Sequence, residues 1–106
     1  MDWLIFQPGD VKMILQNKTA LVTGSGRNIG RSIALTLASA GANVVINSKE
    51  NVEAANETAD EIRKLGAKAL VVMGDIGSET EVSKMVNEVR MNVDYVDIVI
   101  NNGSLR

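Results

Sequence analysis

Short apolar runs alternate with stretches of helical periodicity along this 106-residue chain. The runs are Thr19–Val22, Val44–Ile46, Ala69–Met73 and Val96–Ile100. Strands that alternate with helices pair in parallel and are joined by right-handed crossovers. Runs that are apolar throughout are typical of a sheet covered on both faces. The sequence therefore predicts one α/β domain of β-α-β-α-β-α-β order, with a parallel sheet in the strand order 3-2-1-4.

Three apolar stripes at helical spacing lie between these runs. The first two end at Gly41 and Gly66, where a left-handed residue would cap each helix. A Ser-x-x-Glu pattern at Ser78 and Glu81 predicts the start of the third helix. We expect the first two helices on one face of the sheet and the third on the other. The stripes consist of Ile29, Ile33, Leu37 and Ala40; Val52, Ala55, Ala59 and Ile62, within a helix from Glu50 to Leu65; and Val82, Met85, Val86 and Val89.

Composition excludes several classes of protein. Hydrophobic residues make up 45% of the chain and aromatic residues 3%, so the core must be aliphatic. The net charge of −2 comes from scattered residues, which disfavours a nucleic-acid partner. The chain has no cysteine and no histidine, which excludes disulfides and removes the commonest zinc ligands. No apolar run approaches the ~20 residues that span a bilayer. We expect a cytoplasmic protein without a metal site.

The loop Thr23–Gly30 is rich in glycine and joins the first strand to the first helix. A pyrophosphate needs bare backbone N–H groups and room to approach them. Glycines provide the room, and the helix N-terminus provides the donors and a partial positive charge. This context predicts a dinucleotide site, and the alternative is an ordinary glycine-rich turn.

Three motifs resemble those of the short-chain dehydrogenase/reductase family. The glycine loop resembles its Thr-Gly-x-x-x-Gly-x-Gly fingerprint, with Asn28 in place of one glycine. Asparagine tolerates left-handed backbone angles, so this departure is mild. Gly74-Asp75-Ile76 resembles the Asp-Val/Ile step, and Asn101-Asn102-Gly103 resembles the Asn-Asn-Ala-Gly motif more loosely. The resemblance spans roughly Leu15 to Ser104 and is nearest to the 3-oxoacyl-[acyl-carrier-protein] reductases.

The resemblance implies a partial Rossmann-type, doubly wound fold and a part in hydride transfer between a nicotinamide and a carbonyl or alcohol. It also implies that Asp75 and Ile76 hold the adenine edge. An NAD site carries a carboxylate at the end of the second strand, whereas an NADP site avoids one and supplies cations. The chain has Asn47-Ser48-Lys49 there, and Arg27 is a second candidate cation. We therefore expect NADP rather than NAD. The expected cofactor-binding residues are Gly24, Ser25, Gly26, Arg27, Asn28, Ile29, Gly30, Asn47, Ser48, Lys49, Asp75, Ile76, Asn102 and Gly103.

The family's catalytic Tyr-x-x-x-Lys signature is not present in these 106 residues. Tyr95 is the single tyrosine, and Val99 stands four places after it. We expect residues 13–106 to be a dinucleotide-binding half-domain, inactive alone and cut before the catalytic half. The alternative is a stand-alone nucleotide-binding module. We also expect Met1–Lys12 to be an extension before a natural start at Met13. An exposed fourth strand predicts self-association or a homo-oligomer.

Overall fold

The computed structural model describes residues 14–103 of the chain. Within that range four strands alternate with three helices, in the predicted order. The predicted N-terminal extension and the predicted start at Met13 lie outside the described residues. The elements are β1 (Thr19–Val22), α1 (Asn28–Ser39), β2 (Asn43–Ser48), α2 (Val52–Lys64), β3 (Ala69–Met73), α3 (Glu79–Asn92) and β4 (Ile98–Ile100).

The four strands form one parallel sheet in the order β3-β2-β1-β4, which confirms the predicted topology. Val22 lies opposite Ile46 on one side and Ile100 on the other. Asn47 and Ser48 extend β2 beyond β1 and pair with the last two residues of β3. The carboxyl ends of all four strands therefore meet at one edge, where parallel sheets of this kind bind their ligands.

Two strands differ in length from the predicted runs. β2 continues through the polar pair Asn47 and Ser48, because β3 supplies backbone partners there. β4 begins at Ile98 rather than at Val96, since β1 is short. The Asp97 carboxylate accepts the Thr19 N–H at 2.9 Å, and the Asp97 N–H donates to the Thr19 carbonyl at 2.8 Å. This side-chain bond takes the place of another ladder bond.

The helix ends follow their local chemistry. Gly41 and Gly66 have φ of 101° and 93°, so both are left-handed as predicted. α2 begins at Val52 rather than at Glu50, because the Asn51 side chain accepts the Ala54 N–H at 3.0 Å and caps it. Ser78 caps α3 by accepting the Glu81 N–H at 3.3 Å.

The two faces of the sheet are covered as predicted. α1 and α2 pack on one face around a fully buried cluster, whereas α3 packs on the other. The first cluster contains Val22, Ala34, Ala38, Val44, Ile46, Ala55, Ala59 and Ile62. The second contains Val45, Val72 and Met85. Among residues 14–103, no helix is long and apolar enough to cross a membrane.

Candidate functional site

The glycine loop crosses the carboxyl edge of the sheet in a shape that depends on its small residues. Gly24 and Asn28 adopt left-handed angles, with φ of 61° and 59°. A Cβ at Gly30 would lie 2.1 Å from the Gly24 carbonyl oxygen and 2.7 Å from the Asn102 amide nitrogen. Any side chain at Gly30 would therefore push the loop away from α1 and from the end of β4.

The N-terminus of α1 presents unused donors beside this loop. The backbone N–H groups of residues 27–30 have no hydrogen-bond partner among the described residues. Arg27 is the N-cap residue, its side chain makes no capping bond, and the first turn holds no acidic residue. The other two helices have a side-chain cap and carry acidic residues in the first turn. An anion at α1 would meet donors and the positive end of a helix dipole without competition from the helix's own carboxylates.

Thr23 connects the glycine loop to the segment after β4. Its hydroxyl donates to the Asn101 side chain at 3.0 Å and accepts the N–H groups of Asn102 and Gly103, at 2.9 and 2.8 Å. The Asn102 side chain donates in turn to the Gly24 carbonyl at 3.3 Å. One hydroxyl donor and two acceptor positions are all in use. Thr23 thus holds Asn102 and Gly103 against the loop.

Asn47 and Ser25 lie beneath the loop and are 2% and 0% exposed. The Asn47 amide donates to the carbonyls of Val72 and Gly74, both at 3.1 Å, and accepts the Gly24 N–H at 3.3 Å. The Ser25 hydroxyl donates to the Val22 carbonyl at 2.6 Å and accepts the Asn47 N–H at 3.2 Å. Both side chains therefore bind protein backbone and tie the ends of β1, β2 and β3 together. Direct contact of either side chain with a cofactor stays a prediction.

Ser48 and Lys49 stand where β2 leaves the sheet. Ser48 is 9% exposed and lies next to Gly26, since a Cβ on Gly26 would come 3.2 Å from its hydroxyl oxygen. Lys49 is exposed, and its ammonium lies 3.8 Å from the Asp75 carboxylate. Exposed pairs at this separation are weak and screened by salt, so Lys49 keeps the freedom to meet another anion.

Asp75 and Ile76 begin the loop after β3. The Asp75 carboxylate accepts the Gly77 N–H at 2.8 Å, and the Asp75 N–H donates to the Glu81 carboxylate at 3.0 Å. Glu81 therefore binds Asp75 rather than closing a reciprocal box with Ser78. The Ile76 side chain packs beside Gly103, where an added Cβ would meet it at 2.6 Å. The predicted residues of three loops thus meet at one place on the sheet edge.

One contact in the site was not expected from the motifs. Thr58 on α2 is fully buried, and its hydroxyl donates to the Gly26 carbonyl at 2.9 Å. Its sequence signal is a polar residue between Ala55, Ala59 and Ile62, on a helical face that is otherwise apolar. Such a residue needs a hydrogen-bond partner when it is buried.

Comparisons with known proteins agree with this geometry. The family model for short chain dehydrogenases matches residues 18–106. A probable tetrahydroxynaphthalene reductase of Zymoseptoria tritici is 41% identical over 91 residues, which are 86% of this chain and 34% of that protein. A versicolorin reductase of Emericella nidulans is 40% identical over 91 residues, with the same two shares.

Solved structures give the same result. A hydroxysteroid dehydrogenase from Escherichia coli superposes with a TM-score of 0.80 at 40% identity, over 91% of this chain and 40% of that one. A 7α-hydroxysteroid dehydrogenase complexed with NADH and 7-oxo glycochenodeoxycholic acid superposes with a TM-score of 0.77 at 41% identity, over 86% and 35%. None of these four proteins is named as a 3-oxoacyl-[acyl-carrier-protein] reductase, so that nearer resemblance stays a prediction.

The chain spans about a third of the length of the curated relatives that it matches. The matched third holds the glycine loop, the end of β2 and the loops after β3 and β4. The chain therefore belongs to the short-chain dehydrogenase family and is the nucleotide-binding portion of such a protein.

Proposed function

We propose that this chain binds NADP(H) in preference to NAD(H), as part of an oxidoreductase that transfers hydride between nicotinamide and a carbonyl or alcohol. The observation that carries the preference is the end of β2. Ser48 and Lys49 stand there in place of a carboxylate, and Ser48 touches the glycine loop. A hydroxyl donor and an ammonium suit a 2′-phosphate, whereas a ribose 2′-OH is best met by an acidic side chain.

The remaining residues fit a dinucleotide that lies along the sheet edge. The N–H groups at the start of α1 would bind the pyrophosphate, with Arg27 as a further cation. The adenosine would lie between Lys49 and Asp75, beside Ile76, and Asn102 and Gly103 would border the path to the nicotinamide. A bound cofactor would supply the hydride.

Calorimetric titration of the chain with NADP⁺ and NAD⁺ tests the preference. We expect NADP⁺ to bind about tenfold more tightly, since hydrogen bonds to a charged group each contribute ~1.5–3 kcal/mol before exposure to solvent weakens them. Lys49→Asp should remove or reverse the preference, because a carboxylate repels the phosphate and accepts from the ribose. Tighter binding of NAD⁺ by the unmodified chain would contradict the proposal.

Lys68→Asp is the matched control. Lys68 is exposed, and it precedes β3 at the opposite edge of the sheet. The substitution changes the net charge of the chain by the same amount as Lys49→Asp. It should leave the ratio of the two dissociation constants unchanged, which separates a local effect on the phosphate from a change in overall charge.

We further propose that the chain self-associates, and that it acts in the cytoplasm. Val99 in β4 is 62% exposed, and Tyr95 nearby is 77% exposed. A strand at the edge of a sheet offers unpaired backbone groups to a second strand. Sedimentation at several concentrations tests the association, and a monomer at every concentration would contradict it.

A further inference from the structure

Thr58 is the partner of an otherwise unsatisfied carbonyl in the glycine loop. Its hydroxyl lies 2.9 Å from the Gly26 oxygen and 3.1 Å from the Ala54 oxygen, one turn back in α2. The Gly26 oxygen accepts no other hydrogen bond among the described residues. A buried carbonyl without a hydrogen-bond donor is costly, so the Thr58 hydroxyl favours the loop conformation in which the Gly26 carbonyl points toward α2.

The orientation of this carbonyl also determines where the next N–H points. The peptide groups of the described chain are trans, and in a planar trans peptide the C=O and the following N–H point in opposite directions. Because the Gly26 carbonyl points at α2, the Arg27 N–H points away from α2. Gly26 is buried, whereas the residue that carries this N–H, Arg27, is exposed. The N–H has no partner among the described residues.

A rotated Gly26–Arg27 peptide would reverse this arrangement. Rotation of this peptide changes ψ of Gly26, where glycine has wide freedom, and φ of Arg27, which is extended at −159°. Gly26 itself therefore opposes the rotation little, and the Thr58 hydrogen bond adds to the preference of Arg27 for its extended conformation. The rotated peptide would present a carbonyl oxygen, with its partial negative charge, to an incoming phosphate. Space around Gly26 is limited, since an added Cβ would lie 3.2 Å from the Ser48 hydroxyl and 3.5 Å from the Ala55 nitrogen. The glycine loop therefore packs closely at Gly26 against the end of β2 and the start of α2.

We propose that Thr58 is a positioning residue for pyrophosphate binding, which holds the Gly26–Arg27 peptide with its N–H toward the anion. The inference rests on the proposed function, because it needs a ligand at the glycine loop. It adds a role for a residue on α2 that does not touch the cofactor. It also connects the proposed positions of the pyrophosphate and the 2′-phosphate, since Thr58 on α2 and Ser48 at the end of β2 both contact Gly26.

The test compares two adenine nucleotides and three variants of the whole chain. ADP-ribose carries the pyrophosphate, whereas AMP carries one phosphate and no pyrophosphate. Thr58→Val keeps the size of the side chain and removes the hydroxyl. It should weaken ADP-ribose about tenfold, the loss expected for about one hydrogen bond, and change AMP less than twofold. Thr58→Ser restores the hydroxyl and should bind ADP-ribose within about twofold of the unmodified chain.

Ile62→Val controls for stability, because it removes a buried methylene from the same helix and leaves the hydroxyl in place. It should lower the unfolding temperature without changing either dissociation constant. Three results would overturn the inference: unchanged ADP-ribose binding by Thr58→Val, equal losses for ADP-ribose and AMP, or the same loss in Ile62→Val. If the unmodified chain binds neither NADP⁺ nor ADP-ribose, the proposed function fails as well. If the unmodified chain binds both NADP⁺ and ADP-ribose, and Thr58→Val binds ADP-ribose equally well, only the inference about Thr58 fails.

Discussion

The two faces of the sheet are built from the same strands and yet are packed very differently. On the face covered by α1 and α2, eight side chains form a cluster in which each is no more than 1% exposed. On the face covered by α3, the buried cluster contains three residues. A groove of about 710 Å³ runs beside α3 on that second face. Its apolar walls include Leu21, Val82, Val86, Val89 and Val99.

The difference arises from the number of helices on each face and not from the strands. Neighbouring residues of a strand point to opposite faces, and Val44 and Val45 are both 1% exposed. Where two helices meet over the sheet, their side chains interlock with the strands. In the part of the chain that the structure describes, a single helix faces the other side, and Val86 on it remains 47% exposed. An apolar strand therefore predicts that both faces of the sheet can be buried, whereas the number of helices packed on each face determines how completely it is buried.

The largest difference in stability should be between two glycine-to-alanine variants, one at a position enclosed by backbone and one at a position beside a flexible side chain. A Cβ at Gly30 meets backbone at 2.1 Å, whereas a Cβ at Gly74 meets the flexible end of Met85 at 2.4 Å. Met85 can move into the groove, but the loop backbone cannot retreat. We expect Gly30→Ala to cost about 3 kcal/mol and to abolish dinucleotide binding, and Gly74→Ala to cost about 1 kcal/mol or less.

Chemical denaturation and nucleotide titration of both variants measure this contrast. A Gly74→Ala variant as unstable as Gly30→Ala would show that the α3 face is as rigid as the other.

A smaller contrast should separate the two faces at adjacent residues of β2. Val44→Ala leaves a cavity in the closed cluster, and we expect a loss of about 2 kcal/mol in the free energy of unfolding. Val45→Ala opens space that Met85 can fill from the groove side, and we expect a loss of about 1 kcal/mol. The two variants delete the same atoms from equally buried sites, so each controls for the other. Equal losses in the free energy of unfolding, measured with denaturant, would mean that Met85 does not fill the space left by Val45→Ala.

The smallest effect on stability should accompany a clear effect on association. Val99→Lys places a charge at the exposed edge strand beside the groove, and the free energy of unfolding should change by about 0.5 kcal/mol or less. Self-association should fall, because a lysine at a sheet edge opposes pairing with another strand. Val52→Lys at the start of α2, where the side chain is 47% exposed, is the matched control. Sedimentation that responds equally to both charges would place the association elsewhere.

Local patterns in the sequence were sufficient for the order of the elements and for the sheet edge at which the predicted site residues meet. Alternating apolar runs and helical stripes predicted four parallel strands, and parallel strands bring their carboxyl ends to one edge. The glycine loop, the end of β2, and the loops after β3 and β4 were therefore expected to meet, and the structure brings them together. Gly41 and Gly66 were identifiable because a left-handed residue after a helix is a local requirement.

The partners of individual polar groups were decided only by the tertiary structure. Asn47 was expected from the sequence only as a cofactor-binding residue at the end of the second strand, and the structure shows that it is buried and bonded to the backbone at Gly24, Val72 and Gly74. Thr58 reads as one polar residue in a helix, yet it bonds to the backbone at Gly26, 32 positions away. Such contacts join residues that are distant in sequence. They depend on ångström-level distances between packed elements, which a periodic pattern of residue types does not contain.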